Sequence, residues 1–339
     1  MIEPRDNPFL AGQDAAEATL ADAMRSGRLH HGWLISGPEG VGKATLAFRF
    51  ARRLFAGVPP HQTNTLALDA GHVVFRRVAA GTHADLLTVA RAYDEKRKRV
   101  RGEIVVDDVR RVAEFLRLTP AEGGWRIVIV DGAEHLNRNA ANALLKVLEE
   151  PPARAILLLT CAAPGRLLPT IRSRCRQLTL PPLDPPTLAA VLARYLPDLP
   201  AAERARLADI ADGSPGRALA LAGEQGVQLA GLVDETFSML PQVDLLRAHA
   251  IADTIARSET GFSTFMDLLR AELAKAVREA GRQTSLGAGG LGQRLAAVKP
   301  LDAWVDVWHG LTRLQSDTER FNLDKRQALI QGLSLLRGS

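Results

Sequence analysis

Leu34, Ile35 and Ser36 form a short strand-like run that ends in a glycine-rich turn, GPEGVGKAT. Apolar residues then recur at Leu46, Ala47, Phe50, Ala51 and Leu54, a spacing that predicts an amphipathic helix. Gly57 and Pro59-Pro60 break it. Between residues 57 and 83 the pattern loses regularity, and VVFRRVA, from Val73, suits either helix or strand. Residues 85–90 read as a second short strand. Asp107 and Asp108 suit the positive end of a helix that buries Val109, Val112, Ala113, Leu116 and Leu118. Residues 127–130 are wholly apolar between Arg126 and Asp131, as expected of a parallel strand covered on both faces. The next helix runs over residues 139–149, with Ala140, Leu144, Val147 and Leu148 on its inner side, and Pro151-Pro152 ends it. Residues 156–159 and 177–180 predict the last two strands.

Strand-helix alternation thus predicts an α/β domain with a parallel sheet over residues 1–180. The proline-rich PPLDPP at 181–186 marks a stiff boundary. Beyond it the pattern predicts a small helical domain over 181–240 and an all-helical domain over 241–339, interrupted by a glycine-rich break at 281–292. Leu329, Leu333 and Leu336 predict a final buried helix face, with Phe321 and Leu323 packing at its start. There is no internal repeat.

The composition, 46% hydrophobic and 24% charged, is that of a core-forming chain, and with aromatics at 5% Leu, Val, Ile and Ala must fill the core. No stretch reaches the roughly 18 uninterrupted apolar residues of a membrane helix. The start, MIEPRDNPF, has acidic residues and an early proline where an export leader would be basic then apolar. A cytoplasmic protein with no membrane partner is expected. Two cysteines, Cys161 and Cys175, cannot make a four-thiolate zinc site or a disulfide framework. A net charge of +5 permits nucleic-acid contact without requiring it. The basic run RAYDEKRKRVR, residues 91–101, reads as an exposed hairpin or loop, solvated or touching phosphates.

The chemistry concentrates in Gly37-Pro38-Glu39-Gly40-Val41-Gly42-Lys43, which has the spacing G-x-x-x-x-G-K. Such a loop turns its backbone N–H groups toward phosphate, the following helix adds its positive end, and Lys43 can reach a terminal phosphate. The next position normally offers a hydroxyl to magnesium, but here it is Ala44. Thr45 stands one residue late, turned by about 100° on a helix. The loop therefore fits either an ATP or ADP pocket with impaired magnesium geometry or a retained structural turn. Asp131 ends an apolar strand where such sites place a magnesium-orienting carboxylate. Gly132 occupies the place of the glutamate that activates water, and Glu134 lies two residues further on. Autonomous ATP hydrolysis is not expected.

The motifs LHHGWLISGPEGVGK, AGTHADLL, NAANALLKVLEEPP and LPTIRSRC occur in one order along the chain. Together they resemble the clamp-loader branch of the AAA+ ATPases, in particular the delta-prime line of bacterial DNA polymerase III and its gamma/tau relatives. The likeness runs from about Gly12 to Leu219. It implies a P-loop AAA+ core, a helical lid and a helical collar within a pentameric ring that contains gamma/tau and delta subunits. That ring uses ATP to place a sliding clamp on primed DNA. Arg174 matches the arginine offered in trans to a neighbour's ATP, a role suited to a planar, permanently charged guanidinium. Thr160 matches a nucleotide-sensing position. In GSPGRAL a second sensor arginine aligns with Gly216, and Arg217 is one residue off.

Family members often carry four cysteines between positions equivalent to 57 and 85. This chain has none there, so zinc is not expected, and His61, His72 and His83 read as surface or packing residues. Paired magnesium carboxylates of a polymerase cannot be placed in the sequence. The competing readings are an active gamma/tau-like motor and a nucleotide-sensing scaffold outside replication.

Overall fold

In this computed structural model the described residues are 3–57, 65–95, 99–122, 124–223, 225–258, 261–281 and 290–337. Contacts divide the chain into two units. One is Met1–Tyr195 with Asp212–Arg217, and the other is Leu196–Ala211 with Ala218–Ser339.

The first unit runs α1 (Asp14–Arg25), β1 (Gly32–Ser36), α2 (Lys43–Phe55), α3 (Val73–Ala79) and β2 (Leu86–Val89). It continues with β3 (Tyr93–Asp94), β4 (Arg99–Val100), α4 (Val106–Arg117), β5 (Arg126–Val130) and α5 (Arg138–Glu149). It closes with β6 (Ala155–Cys161), α6 (Pro169–Arg174), β7 (Arg176–Thr179) and α7 (Pro185–Tyr195). Five strands make one sheet in the order β2-β5-β6-β1-β7, and every pairing is parallel. All residues of β1, β5 and β6 are buried, as their unbroken apolar runs require of strands covered on both faces. The inner faces of α4 and α5 meet that sheet through Val109, Val112, Leu116, Leu144 and Leu148. Asn137 caps α5 by accepting the Ala140 N–H at 2.9 Å.

The ambiguous VVFRRVA segment is helix α3. His72 caps it, its Nδ1 accepting the Val74 N–H, and the turn buries Val74, Phe75 and Val78. His83 is 4% exposed and stacks on Phe55 at 3.9 Å, whereas His61 lies outside the described residues. Tyr93–Asp94 and Arg99–Val100 pair antiparallel, so the basic run contains a hairpin ladder, with Tyr93 and Val100 exposed. Residues 96–98 of that run lie outside the described residues.

Leu118 was expected on the buried face of α4 but is 63% exposed. The helix ends at Arg117, and Leu118 takes an extended conformation that leaves the helical face.

The second unit is helical: α8 (Ala201–Ala211), most of α9 (Pro215–Gly223), α10 (Gly226–Ser238), α11 (Leu245–Ala256), α12 (Gly261–Gly281), α13 (Leu291–Val298), α14 (Leu301–Phe321) and α15 (Lys325–Leu335). α12 packs against α10, α13 and α14, and α15 packs against α11 and α14. Phe262, Phe265, Met266, Leu269 and Leu273 bury one side of α12. Leu329, Leu333 and Leu336 are buried as their spacing predicts. Phe321 and Leu323 are not, being 61% and 50% exposed. Phe321 is the last residue of α14, and the chain leaves the helix through Asn322, left-handed at φ 53°, before Leu323. Most of the glycine-rich break, residues 282–289, lies outside the described residues.

One buried ion pair fastens the α4–β5 connection to the start of β2. Asp85 is 1% exposed and accepts N–H groups from Ala121 at 2.8 Å and Glu122 at 3.2 Å. Its Oδ1 lies 3.6 Å from Arg126. Arg126 also donates to the carbonyls of Phe115 and Thr119, each at 2.6 Å. Removing one member of such a pair leaves a buried charge uncompensated. Asp85→Ala is expected to lower stability by about 3–5 kcal/mol in urea unfolding.

Candidate functional site

Parallel strands bring their C-terminal ends to one edge of a sheet, and α/β folds bind ligands there. The loop after β1, Asp131 after β5 and Thr160 near the end of β6 share that edge, with β6 lying between β5 and β1. Gly37, Gly40 and Gly42 have φ of 145°, 75° and 106°. These values favour glycine, so the loop's glycine spacing has a backbone cause. Val41 is buried at 1% and pins the loop to the core.

The loop is closed on itself. The Lys43 ammonium donates to the carbonyls of Gly37 at 2.8 Å and Pro38 at 2.6 Å. Burial pulls its pKa below the ordinary lysine value, and the nearby carboxylates of Glu134, Glu39 and Asp131 act against that shift. Ala44 offers no oxygen, and Thr45 is buried at 7% in α2. Thr160, 1% exposed, donates its hydroxyl proton to Asp131 at 2.5 Å and accepts the Gly132 N–H at 2.9 Å. A hydroxyl has one proton to give, so Thr160 serves Asp131 here. Glu134 is turned to the end of β6, where its Oε1 accepts the Ala162 N–H at 2.9 Å. Position 44 thus offers no hydroxyl, and in this arrangement the Lys43 ammonium and the Thr160 proton are engaged within the protein.

Two contacts that the sequence did not disclose complete this edge. Ser214 Oγ donates to the Glu39 carbonyl at 2.6 Å, and the Gly216 N–H donates to the Gly40 carbonyl at 2.9 Å. A Cβ at Gly216 would stand 2.8 Å from the Gly40 Cα and 2.9 Å from its oxygen. Position 216, where the family resemblance places a sensor arginine, therefore has no room for a side chain in this backbone. Arg217 follows, its N–H directed at Ser214 Oγ at 3.3 Å.

Arg174 stands elsewhere. It ends α6 immediately before β7, whose Arg176 pairs with Trp33 near the start of β1. The five residues of β1 lie between this point and the phosphate loop, roughly 15 Å at about 3.3 Å per residue. The following Cys175 is 8% exposed. It lies against Gly32, where a Cβ would meet its Sγ at 3.3 Å and Leu148 Cδ2 at 2.9 Å. Burial pushes the Cys175 thiol up to about 12, so it is packing rather than a reactive group. The Arg174 side chain is 37% exposed and borders an open cavity of about 640 Å3 that His30, His31, Glu149, Ser173 and Arg176 help to line.

Residues 12–184, just over half of the chain, match the family described as DNA polymerase III, delta subunit. The chain belongs to this family. A Pseudomonas aeruginosa DNA polymerase III subunit delta' is 39% identical over 214 residues, 62% of this chain and 62% of that protein. The Escherichia coli subunit delta' is 40% identical over 207 residues, covering 60% of this chain and 57% of its own. The E. coli subunit tau is 32% identical over 223 residues, 64% of this chain and 32% of tau. In each case the match spans less than two thirds of the relative's length. A Thermotoga maritima gamma-subunit-related structure aligns over 96% of this chain and 98% of its own, at 19% identity and a TM-score of 0.40. The fold rests on the strand order rather than on that likeness. The family match covers both the phosphate loop and Arg174. Among the described residues no helix is long and apolar enough to cross a membrane, and no group of three or more His, Cys, Asp or Glu converges as a metal site.

The tight approach of Gly216 to Gly40 gives a direct test. Gly216→Ala is expected to cost about 1–3 kcal/mol in urea unfolding. Gly165→Ala, with nothing within 4 Å of the added methyl, should stay within about 0.5 kcal/mol of the parent.

Proposed function

We propose that this chain is a clamp-loader subunit that supplies Arg174 to the ATP of an adjoining subunit, while its own phosphate loop serves as structure. The observation that carries the reading is the placement of Arg174. It is rooted by buried Cys175 at the edge of the sheet opposite its own loop, half-exposed beside an open cavity. A guanidinium so placed is out of reach of its own loop and available to a neighbour. It would stabilise charge developing on the transferred γ-phosphoryl group. The departures at Ala44, Gly132 and Gly216 fit a subunit that does not hydrolyse ATP alone.

In this reading the partners are gamma/tau and delta subunits, with the sliding clamp and primed DNA engaged through the complex. The setting is cytoplasmic. Residues 181–240 act as a lid and residues 241–339 as the collar that joins the ring. Polymerisation belongs to other subunits.

A motor reading has one feature in its favour: Gly37, Gly40, Gly42 and Lys43 retain the full phosphate-loop spacing, and the chain also matches tau. It requires magnesium-dependent turnover by the isolated subunit, lost on Lys43→Ala. A scaffold outside replication requires failure to join the clamp-loader subunits.

Reconstitution with the motor subunits, clamp and primed DNA separates these. Arg174→Ala is expected to lower ATP turnover of the complex by about 100-fold or more, to reduce clamp loading with it, and to leave assembly by gel filtration intact. Lys43→Ala should be mild, within a few-fold of the parent. Parental turnover with Arg174→Ala would rule out the trans role.

A further inference from the structure

The Arg174 guanidinium is already engaged. Its Nη2 lies 2.9 Å from Glu149 Oε1, and its Nη1 donates to the Thr170 carbonyl at 3.1 Å. Glu149 is the last residue of α5 and Arg174 the last of α6, two helices that pack together. Both side chains line the same cavity. The pair therefore sits at the mouth of the space a neighbour's phosphate would enter.

We propose that Glu149 is a positioning residue that clasps Arg174 against its own subunit until a phosphate of the adjoining ATP displaces the carboxylate. This inference rests on the trans role of Arg174 argued above. The side chains are 37% and 43% exposed, and an ion pair that open to water shifts an equilibrium by about five-fold at most. The clasp is thus weak enough to exchange. A terminal phosphate carries more charge than a carboxylate and also matches the planar fork of the guanidinium with two parallel hydrogen bonds. On exchange Arg174 is never left unpaired, and Glu149, near the surface, returns its charge to water. Before exchange the clasp holds the fork against its own subunit. It also competes with the phosphate, so its removal tightens the neighbour's apparent hold on ATP.

The test uses the full reconstituted complex with clamp and primed DNA, reading ATP turnover against ATP concentration. Glu149→Gln is expected to lower the half-saturating ATP concentration about two- to five-fold, with maximal turnover changed by less than about two-fold. Glu149→Asp keeps the charge and should remain near the parent value. In an Arg174→Ala background Glu149→Gln should shift nothing, the signature of two residues acting as one unit. The thermal unfolding midpoint of the isolated subunit should fall by no more than about 2–4 °C with Glu149→Gln, the worth of one exposed ion pair. An unchanged half-saturating concentration, in a complex that Arg174→Ala does impair, overturns the clasp and leaves the trans role standing. An equal shift in the Arg174→Ala background also overturns it, by showing that Glu149 acts elsewhere. Normal turnover with Arg174→Ala alone overturns the trans role, and the clasp with it.

Discussion

The shared direction of five parallel strands is the constraint on which the rest of this molecule depends. In such a sheet every strand leaves at one edge, so the loops after β1, β5 and β6 must meet there. The same rule sends the α6–β7 junction to the opposite edge, because a strand enters where its neighbours begin. Lys43, Asp131 and Thr160 consequently gather on one side and Arg174 stands on the other. The two groups are thus held apart by the length of β1, roughly 15 Å.

The two edges differ in how their polar groups are satisfied. At the loop edge the hydrogen bonds turn inward: Lys43 to loop carbonyls, Thr160 to Asp131, Gly216 to Gly40. Buried polar groups that lack water must find protein partners, and each of these has one within the protein. At the other edge Arg174 has a carboxylate partner in partial contact with water, where ion pairs are weak. The root of Arg174 is nevertheless closely packed, since a Cβ at Gly32 would stand 3.3 Å from both the Arg174 carbonyl oxygen and Cys175 Sγ. A packed root and a water-accessible tip are what the proposed trans role of Arg174 calls for.

Much of the core was legible because its signal is local. Strands buried on both faces read as apolar runs at residues 127–130 and 156–159, and α5 could be placed by the spacing of Ala140, Leu144, Val147 and Leu148. Helix ends were less legible. Leu118, Phe321 and Leu323 carry the right chemistry for burial, but they stand at helix ends and are exposed. The reverse held for VVFRRVA, where the apolar run suited either state and the fold makes it a helix capped by His72 and packed through Val74, Phe75 and Val78.

The sequence by itself determined the G-x-x-x-x-G-K spacing, a side chain without oxygen at Ala44, a glycine directly after Asp131 and the motif around Arg174. Each is a matter of which atoms occupy successive positions, and chain order states that directly. Only the tertiary structure decided that Ser214 and Gly216 rest on Glu39 and Gly40, about 175 positions earlier, or that Glu149 meets Arg174. Those contacts depend on how strands and helices stack and on where backbone can approach backbone, and neither quantity has a period or spacing along the chain.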